Sequence, residues 1–257
     1  QVQEMPACRQ LLSELKKHES DTSASVLDAA KPYFLASLYH ALRLPMLVIT
    51  AQPENAKKLS EQLMIWCGDS QVKLYPELDT LYYDRIATDN STELERLQAL
   101  SALANIEENR APSLIVASAP ALMQKTTPYT DFISTSHVIK VGTEIEPLRL
   151  LEQWQKMGYR LENMVEVPGI MSRRGGIVDI YPPTSELPVR LEFFGNTIDS
   201  IRLFNPSSQR SLKPVKEVAI GPATEMLTPL LHDRVELESL LDVDLSGCTP
   251  EVSEQFH

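Results

Sequence analysis

Apolar residues recur along the first half of the chain at two periods, and the alternation between them predicts the fold. Leu11, Leu12 and Leu15 fall at helical spacing within Cys8 to Lys17, and Lys16, Lys17 and His18 place cations at the negative end of that helix dipole. Phe34, Leu35, Leu38, Tyr39 and Leu42 mark a second helix that leads through Pro45 into a short apolar run, Met46 to Thr50, read as a buried strand. Pro53 opens a helix through Trp66 with Leu59, Leu63 and Trp66 on one face. Asp89 to Thr92 supply cap residues for a helix from Glu93 to Ile106, with Glu95 three positions after Thr92 as in a capping box, and Leu114 to Ala117 reads as another buried strand. Helices alternating with buried strands predict an α/β domain with an open, largely parallel sheet of the nucleotide-binding type.

Beyond Gln124 the pattern changes. Thr126-Thr127-Pro128 is a junction, and one helix, Glu146 to Met157, is followed and preceded by short alternating strands such as His137 to Val141 and Val165 to Val167. This predicts an inserted α+β domain over residues 125–215, after a sheet domain over 1–124. Ser207 to Pro214 reads as loop, and Val218 to Ala223 is expected to return the chain to the first domain, so that 216–257 begins its second half.

The most informative stretch lies inside the second region. Ile177 to Tyr181 has the β-branched content of a strand, and Pro182-Pro183 ends it because proline has no amide to donate. Val189 to Phe194 is a second strand, Gly195-Asn196 supplies the positive backbone angles of a tight turn, and Ile198 to Phe204 returns beside it. Side chains alternate along a strand, so with Leu191 and Phe193 inward, Arg190, Glu192 and Phe194 face outward together. An outward Phe beside Arg has two readings from the residues alone: a solvated strand face with one stray aromatic, or the centre of a binding surface.

Composition narrows the function classes. The 257 residues suffice for two compact units, and 43% hydrophobic with 23% charged residues is ordinary globular material. A net charge of -11 argues against a dominant non-specific nucleic-acid-binding role, which needs clustered Lys and Arg. The three cysteines, Cys8, Cys67 and Cys248, lack metal-ligand spacing and fit reduced thiols in a cytoplasm; the five histidines are scattered, so no metal is expected. No apolar run reaches the roughly 18 residues of a spanning helix, so no membrane role is expected. Asp84-Arg85 and Glu95-Arg96 read as salt-bridged loop and helix pairs in preference to a remnant nucleotide or DNA site. Ser172 has no G-x-S-x-G elbow and no neighbouring His, which disfavours a hydrolase, and Tyr82-Tyr83 read as packing residues.

Arg174-Gly175-Gly176-Ile177-Val178-Asp179-Ile180-Tyr181-Pro182, followed by Arg190-Leu191-Glu192-Phe193-Phe194-Gly195, resembles the second domain shared by UvrB and the transcription-repair coupling factors. Pro76 to Arg85 with Glu95-Arg96-Leu97, and more weakly Leu114 to Ser118, resemble their first domain, so the likeness runs from about Val26 to Glu225. UvrB carries a phosphate-binding loop, G-x-x-x-x-G-K-(S/T); here the equivalent place, Leu27 to Phe34, has no glycine and no Lys-Ser/Thr. The resemblance is therefore to the N-terminal module of the coupling factors, a degenerate UvrB-like sheet domain interrupted by the inserted domain and resumed after it.

That resemblance implies a binding module without catalysis or cofactor, with ATP, magnesium, DNA and RNA polymerase engaged by a motor and other regions further along the chain. It implies UvrA as the partner, bound through Arg174, Arg190 and Phe194, with Phe194 desolvated and both arginines pairing with acidic groups of UvrA. It also implies that the chain's own far C-terminal domain can cover this surface. The alternative is a divergent UvrB-like, ATP-dependent DNA-handling protein.

Overall fold

The computed structural model describes residues 5–17, 21–68, 71–78, 90–104 and 112–225. The two tyrosines Tyr82-Tyr83, the pair Asp84-Arg85, the end of the helix expected to reach Ile106, and Cys248 lie outside the described residues. Among the described residues the fold is mixed α/β: a three-stranded parallel sheet with helices, followed by a mixed β-sheet region.

Helix α1 (Pro6–Lys17) precedes a 3-10 turn (Asp28–Ala30), α2 (Lys31–Leu42), β1 (Met46–Thr50), α3 (Pro53–Cys67), β2 (Val72–Tyr75), α4 (Asn90–Ala104), β3 (Leu114–Ser118) and α5 (Ala119–Met123). Strand order is β1-β3-β2, all parallel, and the central β3 is buried at each of its five positions. Its two faces are covered separately. Ala36 and Tyr39 of α2 and Leu63 of α3 pack with Leu114 and Val116, while Ala99 of α4 and Ala121 of α5 pack with Ile115 and Ala117. The short strand β2 is not evident from pattern, because Val-Lys-Leu-Tyr is a four-residue run that gains its identity from pairing with β3. Trp66 departs from the expected core face. Leu63 is fully buried, but the next inward position one turn on is Cys67, and Trp66 is instead half-exposed against Tyr33, ring centroids 4.8 Å apart.

The second region comprises α6 (Tyr129–Thr135), β4 (His137–Lys140), α7 (Pro147–Lys156), β5 (Arg160–Leu161), β6 (Ile170–Arg174), β7 (Ile177–Ile180), β8 (Val189–Phe194), β9 (Thr197–Phe204), β10 (Ser211–Val215) and β11 (Glu217–Ile220). A six-stranded sheet runs β10-β9-β8-β7-β6-β5, antiparallel except for β5 beside β6, and β4 pairs with β11. Helix α7 lays Leu150, Leu151 and Trp154 on the sheet's inner face, against Val178, Ile180, Leu191 and Ile201. By area burial, each such side chain stabilises the fold by about 1.5–3 kcal/mol.

Three local expectations are corrected. Val165 to Val167 is irregular and not a strand: Val165 is buried with Ile170 and Phe204, holding a loop over one end of the sheet. The segment read as loop from Ser207 to Pro214 contains all of β10 but its last residue, and that strand pairs with β9 from Ser211 onward across a bulge. Val218 to Ile220 remain in the second region as β11, with Ile220 in its core, and the chain reaches the first region at Thr224 and Glu225, whose side chains bond Glu93 and Arg96 of α4.

Candidate interaction surface

The register of β6 to β9 decides which side chains share a face. Ser172, Asp179, Arg190 and Arg202 are successive partners across the four strands, and Arg174, Ile177, Glu192 and Ser200 form the adjacent row. Directly opposed residues of antiparallel strands point the same way, so these eight line the outer face, opposite the core that contains Val178, Leu191 and Ile201. Phe194, two positions beyond Glu192, continues that face and is 85% exposed, whereas Phe193 packs partly against the core. Arg173 pairs with Val178 and so belongs to the other side, its Nε donating to the Gly175 carbonyl at 3.3 Å.

Local backbone chemistry holds this edge. Gly175 takes φ 60° in the β6–β7 turn, and a Cβ on Gly176 would stand 3.1 Å from the Phe193 carbonyl oxygen, so the two glycines admit both the turn and the close approach of β8. The Phe193 amide donates to the Gly176 carbonyl at 2.8 Å, fixing the start of the Phe193-Phe194 pair.

The three residues singled out from sequence share this face but differ in their circumstances. Arg174 has a half-exposed side chain, and its Nη2 lies 3.9 Å from Asp179 Oδ2, an ion pair without hydrogen-bond contact. Arg190 is engaged within the protein: Nε and Nη2 each donate to Asp179 at 2.8 Å, Nη1 donates to the Gln209 carbonyl at 3.3 Å, and the guanidinium lies 4.7 Å from the Phe204 ring centroid. The hydrogen bonds to Asp179 raise its pKa further, against the opposing effect of burial. Arg202 faces Glu192 at 3.7 Å, and the Ser200 hydroxyl donates to the same carboxylate at 2.6 Å. Asp179, Ile177 and Arg202 were not singled out from sequence. Alternation within the quoted motif does place Ile177 and Asp179 together, but their position opposite Glu192 and Arg190 depends on register.

Other candidates resolve differently. Arg96 is fully buried: its Nε and Nη2 donate to Glu225 at 2.5 and 2.7 Å, and Nη1 donates to the Pro76 carbonyl at 2.7 Å. Its guanidinium also lies 4.0 Å from the Tyr75 ring centroid. It joins α4 to the chain leaving β11. Where a phosphate loop would lie, Lys31 pairs with Asp28 at 2.6 Å, which lowers the Asp28 pKa, and Pro32 contributes no amide to the first turn of α2. Ser172 is buried within the sheet. Among the described residues no three His, Cys, Asp or Glu gather in a group able to hold a metal ion, and no helix is long and apolar enough to cross a membrane.

Residues 138–226, which include the whole of this face, match the family model of the UvrB interaction domain. Over 204 residues the chain is 35% identical to the transcription-repair-coupling factor of Bacillus subtilis, covering 79% of this chain and 17% of that protein. It is 34% identical over 224 residues to that of Myxococcus xanthus, covering 85% and 18%, and 30% identical over 184 residues to that of Escherichia coli, covering 72% and 16%. The chain thus spans less than a fifth of the length of each of these relatives. It is homologous to the N-terminal region of the transcription-repair-coupling factors and carries a UvrB interaction domain.

Proposed function

We propose that this chain is the region of a coupling factor that recruits UvrA to lesions where RNA polymerase has stalled, acting in the cytoplasm by binding and not by catalysis. The observation that carries this reading is the outer face of β6 to β8, which an exposed phenylalanine shares with Arg174 and Arg190 inside the part of the chain that matches the UvrB interaction domain. Aromatic and arginine side chains are enriched among the few residues that dominate interfaces. Phe194 is the anchor to be desolvated, Arg174 the cation for an acidic group of UvrA, and Arg190 the third member of the surface. The same face is a docking place for the protein's own C-terminal domain, and RNA polymerase and DNA are engaged through other regions. We assign the chain a sheet part, 1–124, and an inserted part from 125 through β11 that carries the surface, after which the chain returns to the sheet part.

Calorimetric titration of UvrA into the chain, beside Phe194→Ala, tests the reading. Binding by the parent that weakens by about 1–3 kcal/mol in the variant is the expected result; no binding by the parent overturns it. The proposal also requires no nucleotide. A ligand at about 100 times its dissociation constant stabilises a protein by roughly 2.7 kcal/mol, so unchanged urea-denaturation free energy with magnesium-ATP is expected, and stabilisation of that size would favour the ATP-dependent alternative.

A further inference from the structure

This inference rests on the reading of the outer face as the UvrA-binding surface, and concerns how its arginines divide the work. Asp179 is 1% exposed on its side chain, yet two guanidinium groups share its carboxylate. Arg190 holds it with two parallel 2.8 Å hydrogen bonds and is itself only 16% exposed, with its remaining nitrogen donating to Gln209. Arg174 stands at 3.9 Å with 53% of its side chain exposed. The other groups in register with Asp179 offer no substitute, since Ser172 is uncharged and Arg202 is paired with Glu192.

We propose that Arg190 serves the surface through Asp179, as a positioning residue, and that Arg174 is the cation presented to an acidic group of the partner beside Phe194. A buried carboxylate that loses its only two-pronged partner draws the nearest remaining cation, because charges a few ångströms apart interact strongly where water is excluded. Without Arg190, that cation is Arg174. It is pulled onto Asp179 and away from the partner, so Arg190 governs binding without touching UvrA.

The test is a titration of UvrA into the parent chain, Phe194→Ala, Arg190→Ala, and Arg190→Ala combined with Asp179→Asn, each first verified as folded by circular dichroism. Arg190→Ala is expected to weaken binding about tenfold or more, the size of effect typical of a residue that governs an interface. Adding Asp179→Asn is expected to restore binding to within a few-fold of the parent, because no unpaired carboxylate then remains to capture Arg174. Further addition of Arg174→Ala should abolish that recovery. A double variant no better than Arg190→Ala would mean that Arg190 contacts UvrA itself, overturning the proposal while Phe194→Ala still reports on the surface. If the parent does not bind, or Phe194→Ala binds as the parent does, the surface reading falls and the proposal with it. Should the double variant not fold, Arg190→Lys decides: an ammonium still neutralises Asp179 and keeps binding within about threefold, whereas a direct two-pronged contact to UvrA would be lost about tenfold.

Discussion

Phe194 and Leu191 lie three positions apart on β8 and have opposite environments, the first 85% exposed and the second fully buried. The difference follows from alternation along a strand, so it was readable from sequence, and it sets what each substitution does. Phe194→Ala removes no core contact; its urea-unfolding free energy is expected to stay within about 0.5 kcal/mol of the parent while UvrA binding weakens by about 1–3 kcal/mol. Leu191→Ala, fully buried beneath α7, is expected to cost about 2–5 kcal/mol of stability. A phenylalanine variant that unfolds as readily as the leucine one would show that Phe194 is a packing residue. Arg190 is the opposite lesson: alternation places it outward, but only the register of β7 against β8 brings Asp179 opposite and ties it down.

At the scale of elements, α7 is joined to β4 by a polar contact inside an apolar setting. Trp154, fully buried, donates its indole N–H to His137 Nε2 at 3.2 Å, which requires that nitrogen to be unprotonated. Burial lowers the His137 pKa below its ordinary 6.5. The unfolded chain therefore takes up a proton, as pH falls through about 6.5, that the folded chain resists. Stability is accordingly full above that pH and declines below it, until the folded pKa is reached, by at most about 1.4 kcal/mol per pH unit. His137→Asn should flatten this part of the profile, read from urea midpoints between about pH 7.5 and 5.5. An unchanged slope in the variant would assign the pH dependence to other groups.

For the whole molecule, the contact that matters spans far in sequence. Arg96 on α4 and Glu225 beyond β11 form a buried, hydrogen-bonded ion pair, and Glu93 accepts from the Thr224 hydroxyl at 2.7 Å and the Glu225 amide at 3.0 Å. Such a pair gains little over an apolar one, but removing one partner strands a charge without water. Glu225→Ala and Arg96→Ala are each expected to cost about 3–5 kcal/mol, with the double variant losing less than the sum of the two. Denaturant titration measures it, and a cost under about 1 kcal/mol would show that water reaches the pair.

The sequence by itself determined the elements whose signal is local: the α/β alternation up to β3, helix α7 with its apolar stripe, the proline stop after β7 and the turn between β8 and β9, in which Gly195 takes the positive φ expected of it and Asn196 does not. It also supplied the composition of the candidate surface, since a motif quoted residue by residue carries Arg174, Arg190 and Phe194. Tertiary structure decided what no local period encodes. Strands β2 and β10 exist because neighbours complete their hydrogen bonds, Val165 is buried by packing and not by pairing, and Trp66 gives its core position to Cys67. It also made Arg190 the partner of a buried carboxylate and buried a surface-type pair residue, Arg96, against Glu225. Periodicity fixes which way a side chain points relative to its own backbone, whereas its charge partner depends on which strand or segment the fold brings opposite.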